Sequence, residues 1–383
     1  MAWRRLLPVV VALVAVASVP AVSVPTATPA ACPPGVPASA ATRVDCGFVN
    51  VPLRYDVAAP EIQIAFARLR AARPGAADAT LLLGGGPGEK ILRSLAAVSR
   101  PGGLGPLLAR TRDLILIDQR GVGRSTPALE CPIGRVPAGQ TLPGLFVQCA
   151  ARLRAEGNDL SAYNTLNDVR DLDQVRQALG YAQLNLFGSS YGARLALEAL
   201  RGEPPWIRSV ALSSAIPAEA NFVADAASSF TAALARTYAL CRSSRRCNSE
   251  NPGLGRTLDR TMRRLAARPA VVRTTTGRLT RTVTITAGQV SLALFSAFYS
   301  RGGIAQIPRV ITAMGRGDFR PLVGGGAAAA IPESDLSSGM QLAFLCQEEA
   351  AYGPASLAAN ARRLPRVARE LVRVSPIVGQ PLL

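Results

Sequence analysis

Ser190 is the residue whose setting could do chemistry. It stands in Gly188-Ser189-Ser190-Tyr191-Gly192, after the apolar run Leu184–Phe187 and before Ala193–Leu200, which reads as a helix. A serine on a sharp strand-to-helix turn holds its hydroxyl clear of the sheet, and flanking glycines let the backbone close up behind it. The chemistry this predicts is nucleophilic attack on a carbonyl through an acyl-enzyme. Such a serine requires a base, a group that orients the base, and hydrogen-bond donors for the oxyanion.

The donors are legible. Thr80-Leu81-Leu82-Leu83 is a short buried strand that runs into Gly84-Gly85-Gly86-Pro87-Gly88. The expected oxyanion hole is the amide of Tyr191 together with that of Gly85 or Gly86, each donor contributing ~3–4 kcal/mol to the transition state. The base is not legible. The 383 residues contain no histidine. Lys90 is the single lysine, and a Ser190–Lys90 dyad would need a depressed lysine pKa. The seven cysteines form no C-x-x-C pair, so no metal site and no cofactor are expected. They fall into local couples, Cys32 with Cys46, Cys131 with Cys149 and Cys241 with Cys247, which leaves Cys346 without a mate. Disulfides suit an oxidising compartment.

The elements that must position these residues follow from the apolar pattern. Phe48–Tyr55, Ile62–Leu69, Thr80–Leu83, Leu114–Ile117, Leu184–Phe187 and Val210–Leu212 read as strands, the later ones as the continuous apolar runs of a sheet covered on both faces. Leu166–Leu179 has apolar residues at the helical period. Strand and helix alternate, which predicts a doubly wound, mostly parallel α/β sheet. Beyond Pro217 the texture is helical, at Phe222–Leu240, Leu254–Leu265, Val290–Phe298 and Ile307–Met314, with a hairpin between Val271 and Ile285. The expected organisation is a signal peptide at 1–24, a Pro/Ala/Thr linker at 25–45, a core at 46–216 and a mainly helical cap at 217–383. Arg4 and Arg5 ahead of the apolar run Leu6–Val19, with small residues after it, support the signal peptide and hence a secreted or periplasmic protein with no stable membrane span once it is removed.

With 49% hydrophobic residues the chain can bury a sizeable core, and its formal charge is +18. The arginines come singly or in pairs such as Arg245-Arg246 and Arg263-Arg264, without a basic block interleaved with aromatics. Dispersed surface arginine is therefore expected, and no nucleic-acid partner. Oligomeric state is not legible.

Three blocks in order, Gly84-Gly85-Gly86-Pro87-Gly88, Asp118-Gln119-Arg120-Gly121-Val122-Gly123-Arg124-Ser125 and Gly188-Ser189-Ser190-Tyr191-Gly192, resemble the secreted tripeptidyl aminopeptidases and related prolyl aminopeptidases of the α/β-hydrolase superfamily. The likeness runs from about Cys46 to Cys346 and includes Val51-Pro52-Leu53, Tyr55, Asp168, Leu172 and Gly339-Met340. It implies an α/β-hydrolase fold with a cap inserted after the sixth strand. It also implies hydrolysis of a peptide amide near a free N-terminus, and an acidic cap residue for the substrate ammonium, with Glu348 and Glu349 as candidates by charge. The family's Asp and His follow two further core strands, which are not found before Leu383. The expectation is thus a C-terminally truncated member with an incomplete triad, inactive as it stands. The alternatives are a hydrolase-fold protein that only binds a peptide or partner, and an esterase or lactone hydrolase.

Overall fold

The structure is a computed structural model that describes residues 25–37, 43–131, 142–217, 219–220, 222–276, 279–323, 335–349 and 364–373. The signal-peptide segment lies outside them, as do residues 324–330, a Gly/Ala run of low complexity. A seven-stranded sheet forms the core, from β1 (Ala27–Ala30), β2 (Val44–Pro52), β3 (Glu61–Leu69), β4 (Asp78–Leu83), β5 (Leu114–Asp118), β6 (Gln183–Ser189) and β7 (Ile207–Ser213), in the order β1-β2-β3-β5-β4-β6-β7. The first three strands and β5 pair antiparallel, whereas β5, β4, β6 and β7 are parallel.

Alternation along the strands sorts side chains to two faces. Ile62, Ile64, Ile115, Ile117, Leu81 and Leu186 face Leu172 and Val175 of α4 (Thr165–Ala178) and Leu195 of α5 (Tyr191–Leu200). Ala65, Ala67, Leu69, Leu114 and Leu116 face the other way, onto Ile91, Leu92, Leu95 and Ala109, in and beside the short helices α1 (Leu95–Ser99) and α2 (Leu104–Leu108). Helix α3 (Leu142–Ala155) precedes α4 and is tied to the core by Cys131–Cys149. At the far side β7 pairs only with β6 among the described residues, and Leu212 there is 39% exposed.

Two boundaries differ from the sequence reading. The stretch read as a linker supplies β1, whose Ala30 pairs with Cys46, and the disulfide Cys32–Cys46 fixes it there. Proline and alanine are tolerated because β1 is an edge strand. The cap is also smaller than read. A second core is built by α6 (Phe222–Ser243), α7 (Arg245–Glu250), α8 (Leu254–Ala267), the hairpin β8 (Ala270–Thr276) and β9 (Leu279–Ile285), α9 (Ala287–Ala297), α10 (Arg301–Gly315) and α12 (Arg366–Arg373). By contrast, α11 (Ser338–Phe344) packs Met340, Leu342 and Ala343 with Val122, Leu129 and Leu153 of the first domain. Residues 335–349 therefore form a strap laid back over the sheet domain. No helix among the described residues is long and apolar enough to cross a membrane.

Candidate active site

The parallel register brings the elbow and the oxyanion loop together. Strands β4 and β6 are neighbours with Leu83 opposite Gly188, so the loops leaving their carboxyl ends emerge side by side. Ser190 has φ 55° and ψ −120°, a conformation outside both the helical and extended regions for a non-glycine residue. The tight turn explains the glycines around it. A Cβ on Gly188 would lie 2.3 Å from the Gly192 carbonyl oxygen, and one on Gly192 would lie 2.3 Å from that of Leu83. The Ser190 amide donates to the Ser213 carbonyl at 3.0 Å, which ties the elbow to β7. Its hydroxyl is half-buried and makes no hydrogen bond among the described residues.

The oxyanion loop lies against this serine. A Cβ on Gly85 would come within 3.4 Å of the Ser190 Cβ. The Gly85 N–H is already engaged, donating to Glu89 Oε2 at 2.6 Å. Of the two glycines expected to supply a donor, Gly86 is the one left for an oxyanion. Tyr191 opens α5, so its N–H has no partner inside the helix, and the positive end of the helix dipole points at the same spot. Its side chain is buried. The hydroxyl donates to Asp168 Oδ2 at 3.0 Å and lies 3.1 Å from Thr165 Oγ1, and the ring meets Phe344 edge-on at 5.0 Å. A small cleft beside the elbow is lined by Gly86, Pro87, Tyr191, Arg194, Ile216 and Phe344.

Beneath the elbow runs a buried ionic network that sequence reasoning did not find. Arg194 Nη1 donates to Glu349 Oε1 at 2.9 Å, and its guanidinium lies 5.1 Å from the Phe344 ring centroid. Glu348 accepts from the Thr165 amide at 2.7 Å and its hydroxyl at 2.8 Å, with Arg194 at 3.6 Å. Burial raises the Glu348 carboxyl, opposed by the Thr165 bonds and Arg194. The two glutamates read as candidates for a substrate ammonium are thus held by protein groups, and Glu349 is fully buried. Asp168 is buried with Oδ1 lacking a hydrogen-bond partner among the described residues, and burial together with Asp171 drives its carboxyl well above the usual range. Motif residue Arg120 grips Asp171 bidentately at 2.7 and 2.8 Å and donates to the carbonyls of Leu53 and Ala162. Its role is scaffolding, as is that of Ser125, which bonds the Asp118 carbonyl at 2.6 Å.

The strap pins the oxyanion loop from outside. Ser337 is fully buried, and its N–H donates to the Gly88 carbonyl at 2.7 Å. Its hydroxyl donates to Glu130 Oε1 at 2.8 Å and accepts from the Gly123 N–H at 3.1 Å. Glu130 also pairs with Lys90 at 2.9 Å, so the single lysine is engaged away from the serine, and the Lys90 N–H donates to the Asp335 carbonyl at 2.9 Å. All three local cysteine couples are disulfides, and Cys346 is a free, exposed thiol.

Residues 80–308 match the family model for the alpha/beta hydrolase fold. The chain belongs to the α/β-hydrolase family. The chain is 32% identical over 175 residues to the tripeptidyl aminopeptidase of Streptomyces lividans, covering 40% of this chain and 32% of that one. It is 27% identical over 195 residues to the serine protease Hip1 of Mycobacterium tuberculosis, covering 46% and 36%. It is 32% identical over 152 residues to a carboxylesterase B from M. tuberculosis, covering 35% and 28%. The chain thus spans about a third of the length of the curated relatives it matches. The proline iminopeptidase structure from Mycobacterium smegmatis aligns over 53% of this chain and 57% of its own at 20% identity and a TM-score of 0.33.

Proposed function

We propose that this chain carries the nucleophile and oxyanion half of a secreted serine hydrolase of aminopeptidase type. Acylation would join the Ser190 oxygen to the carbonyl carbon of a peptide amide near a free N-terminus and break its C–N bond, the amine leaving with the serine proton, while Tyr191 and Gly86 supply the oxyanion donors. The observation that supports this is Ser190 on its strained elbow with the Gly84–Gly88 loop in contact. The relatives named as a tripeptidyl aminopeptidase and a serine protease favour a peptide substrate, and the carboxylesterase keeps ester hydrolysis as an alternative. Three disulfides favour secretion. Of the two glutamates Glu348 is the more exposed, and a substrate ammonium would reach it by sharing its carboxylate with Thr165 and Arg194, whereas Glu349 is held by Arg194.

With no histidine among its 383 residues, the chain by itself is expected not to turn over. The same observation favours a second reading, a protein that binds peptides through a hydrolase cleft. Both are tested with a tripeptidyl p-nitroanilide and p-nitrophenyl acetate, with and without imidazole as a diffusible base. The expected result is no anilide turnover and an imidazole-dependent ester release, above that of imidazole alone, that disappears in Ser190→Ala. Equal ester release from Ser190→Ala would overturn the nucleophile assignment. Peptide binding without any Ser190-dependent release would decide for the binding reading.

A further inference from the structure

Helix α8 presents Thr257, Arg260, Thr261 and Arg264 at i, i+3, i+4 and i+7, one stripe of a helix. Helix α10 answers with Thr312, Gly315 and, at its C-cap, Arg316. These residues line a cavity of about 520 Å³ between the two helices. A stripe facing another helix is ordinarily apolar, or charged with both signs. Here it offers guanidinium and hydroxyl groups and no carboxylate.

The nearby acids are engaged elsewhere, Asp259 with Arg263 and Asp318 with Arg320. Arg264 is fixed, with Nη2 donating to the Met314 carbonyl at 2.8 Å and the guanidinium 5.7 Å from the Phe319 ring centroid. Arg260 and Arg316 have no ion pair among the described residues, and the hydroxyls of Thr257 and Thr312 have no hydrogen bond there. Thr261 donates back to the Thr257 carbonyl at 2.9 Å and is a wall. Arg260 and Arg264 are like charges at i, i+4, an arrangement that disfavours the helix unless a counter-charge sits between them.

We propose that this groove binds a phosphoryl group. Guanidinium forks match phosphate oxygens bidentately, and two free hydroxyls add neutral donors. A tetrahedral phosphoryl group presents acceptor oxygens in more directions than a planar carboxylate does. The phosphoryl can belong to a free phosphate or to a lipid headgroup, and the test separates them.

The purified full chain is titrated with inorganic phosphate by calorimetry in 150 mM chloride, where diffuse attraction to a +18 surface is screened. It is also floated with phosphatidylglycerol vesicles. Arg260→Ser/Arg316→Ser is compared with Arg236→Ser/Arg242→Ser, exposed arginines of α6 that remove the same charge outside the groove. The expected result is phosphate binding weakened about tenfold or more by the groove pair and little by the control pair. Vesicle binding lost in the groove pair alone, without free-phosphate binding, assigns the headgroup instead. Should the serine pair not fold, Arg260→Lys/Arg316→Lys retains the charge but not the forks and is expected to weaken phosphate binding severalfold. No binding of either ligand, or equal loss in groove and control pairs, overturns the proposal.

Discussion

The elbow and the helical domain solve the problem of placing polar groups in different ways. At the elbow, backbone is packed on backbone. Gly188, Gly192 and Leu83 approach so closely that no side chain fits, and Ser190 is left in a conformation that only the surrounding sheet can enforce. In the helical domain, ordinary helices pack through an apolar core, and polar groups gather where two helix faces meet. The first arrangement is brittle and the second tolerant. Local motifs therefore mark the first region, whereas nothing local marks the second.

Glycine substitution should expose this contrast most strongly. Gly192→Ala is expected to destabilise by more than ~3 kcal/mol, because the Leu83 carbonyl cannot move without breaking the sheet. Gly302→Ala in the first turn of α10 meets open space and should stabilise by up to ~0.5–1 kcal/mol. Urea unfolding of both variants measures the difference, and comparable losses would dissolve the contrast.

Next in size is the joint between elbow and strap. Arg194→Met removes the guanidinium that donates to the buried Glu349 carboxylate, and a loss of ~3–5 kcal/mol is expected. Adding Glu349→Gln should recover much of it in a double-mutant cycle. Additive losses would show that the two residues do not act as a pair.

Ser337→Ala sharpens the comparison at lower cost. It removes the acceptor of the Gly123 N–H and the donor to Glu130, for an expected loss of ~1–3 kcal/mol. Amide hydrogen exchange at Gly88–Lys90 should accelerate while exchange in α8 is unchanged. Equal acceleration in both would mean the strap does not act on the oxyanion loop in particular.

The smallest effect is a pH dependence. Asp118 is buried at the end of β5 and accepts from the amides of Leu92 and Arg124, yet burial outweighs these bonds and raises its carboxyl to about 6. The folded state therefore holds this proton more tightly than the unfolded state, whose value is near 3.8. Its contribution is greatest below pH ~4 and is lost as pH rises through ~6. Asp118→Asn should remove that slope from the pH profile of unfolding, and a profile parallel to the parent would refute the assignment.

The fold's core was legible from Thr80–Leu83, Leu114–Ile117 and Leu184–Phe187, because short apolar runs between turn residues have few other uses. Edge strand β1 was not, since its pairing with β2 rests on Cys46 rather than on any pattern of its own. Nor was the return of 335–349, whose small apolar stretch resembles any cap helix until Met340 is seen against Leu129.

By itself the sequence determined the family, the nucleophile candidate and the pairs of local cysteines, because glycine spacing, strand length and short loops constrain neighbouring residues directly. It also fixed that no histidine base lies within these residues. Tertiary structure decided that Gly86 rather than Gly85 is free to donate, that Glu349 belongs to Arg194, and that Arg260 and Arg316 share one groove. The first depends on how the oxyanion loop folds back on itself, and the other two on packing between elements far apart in the chain, neither of which local sequence records.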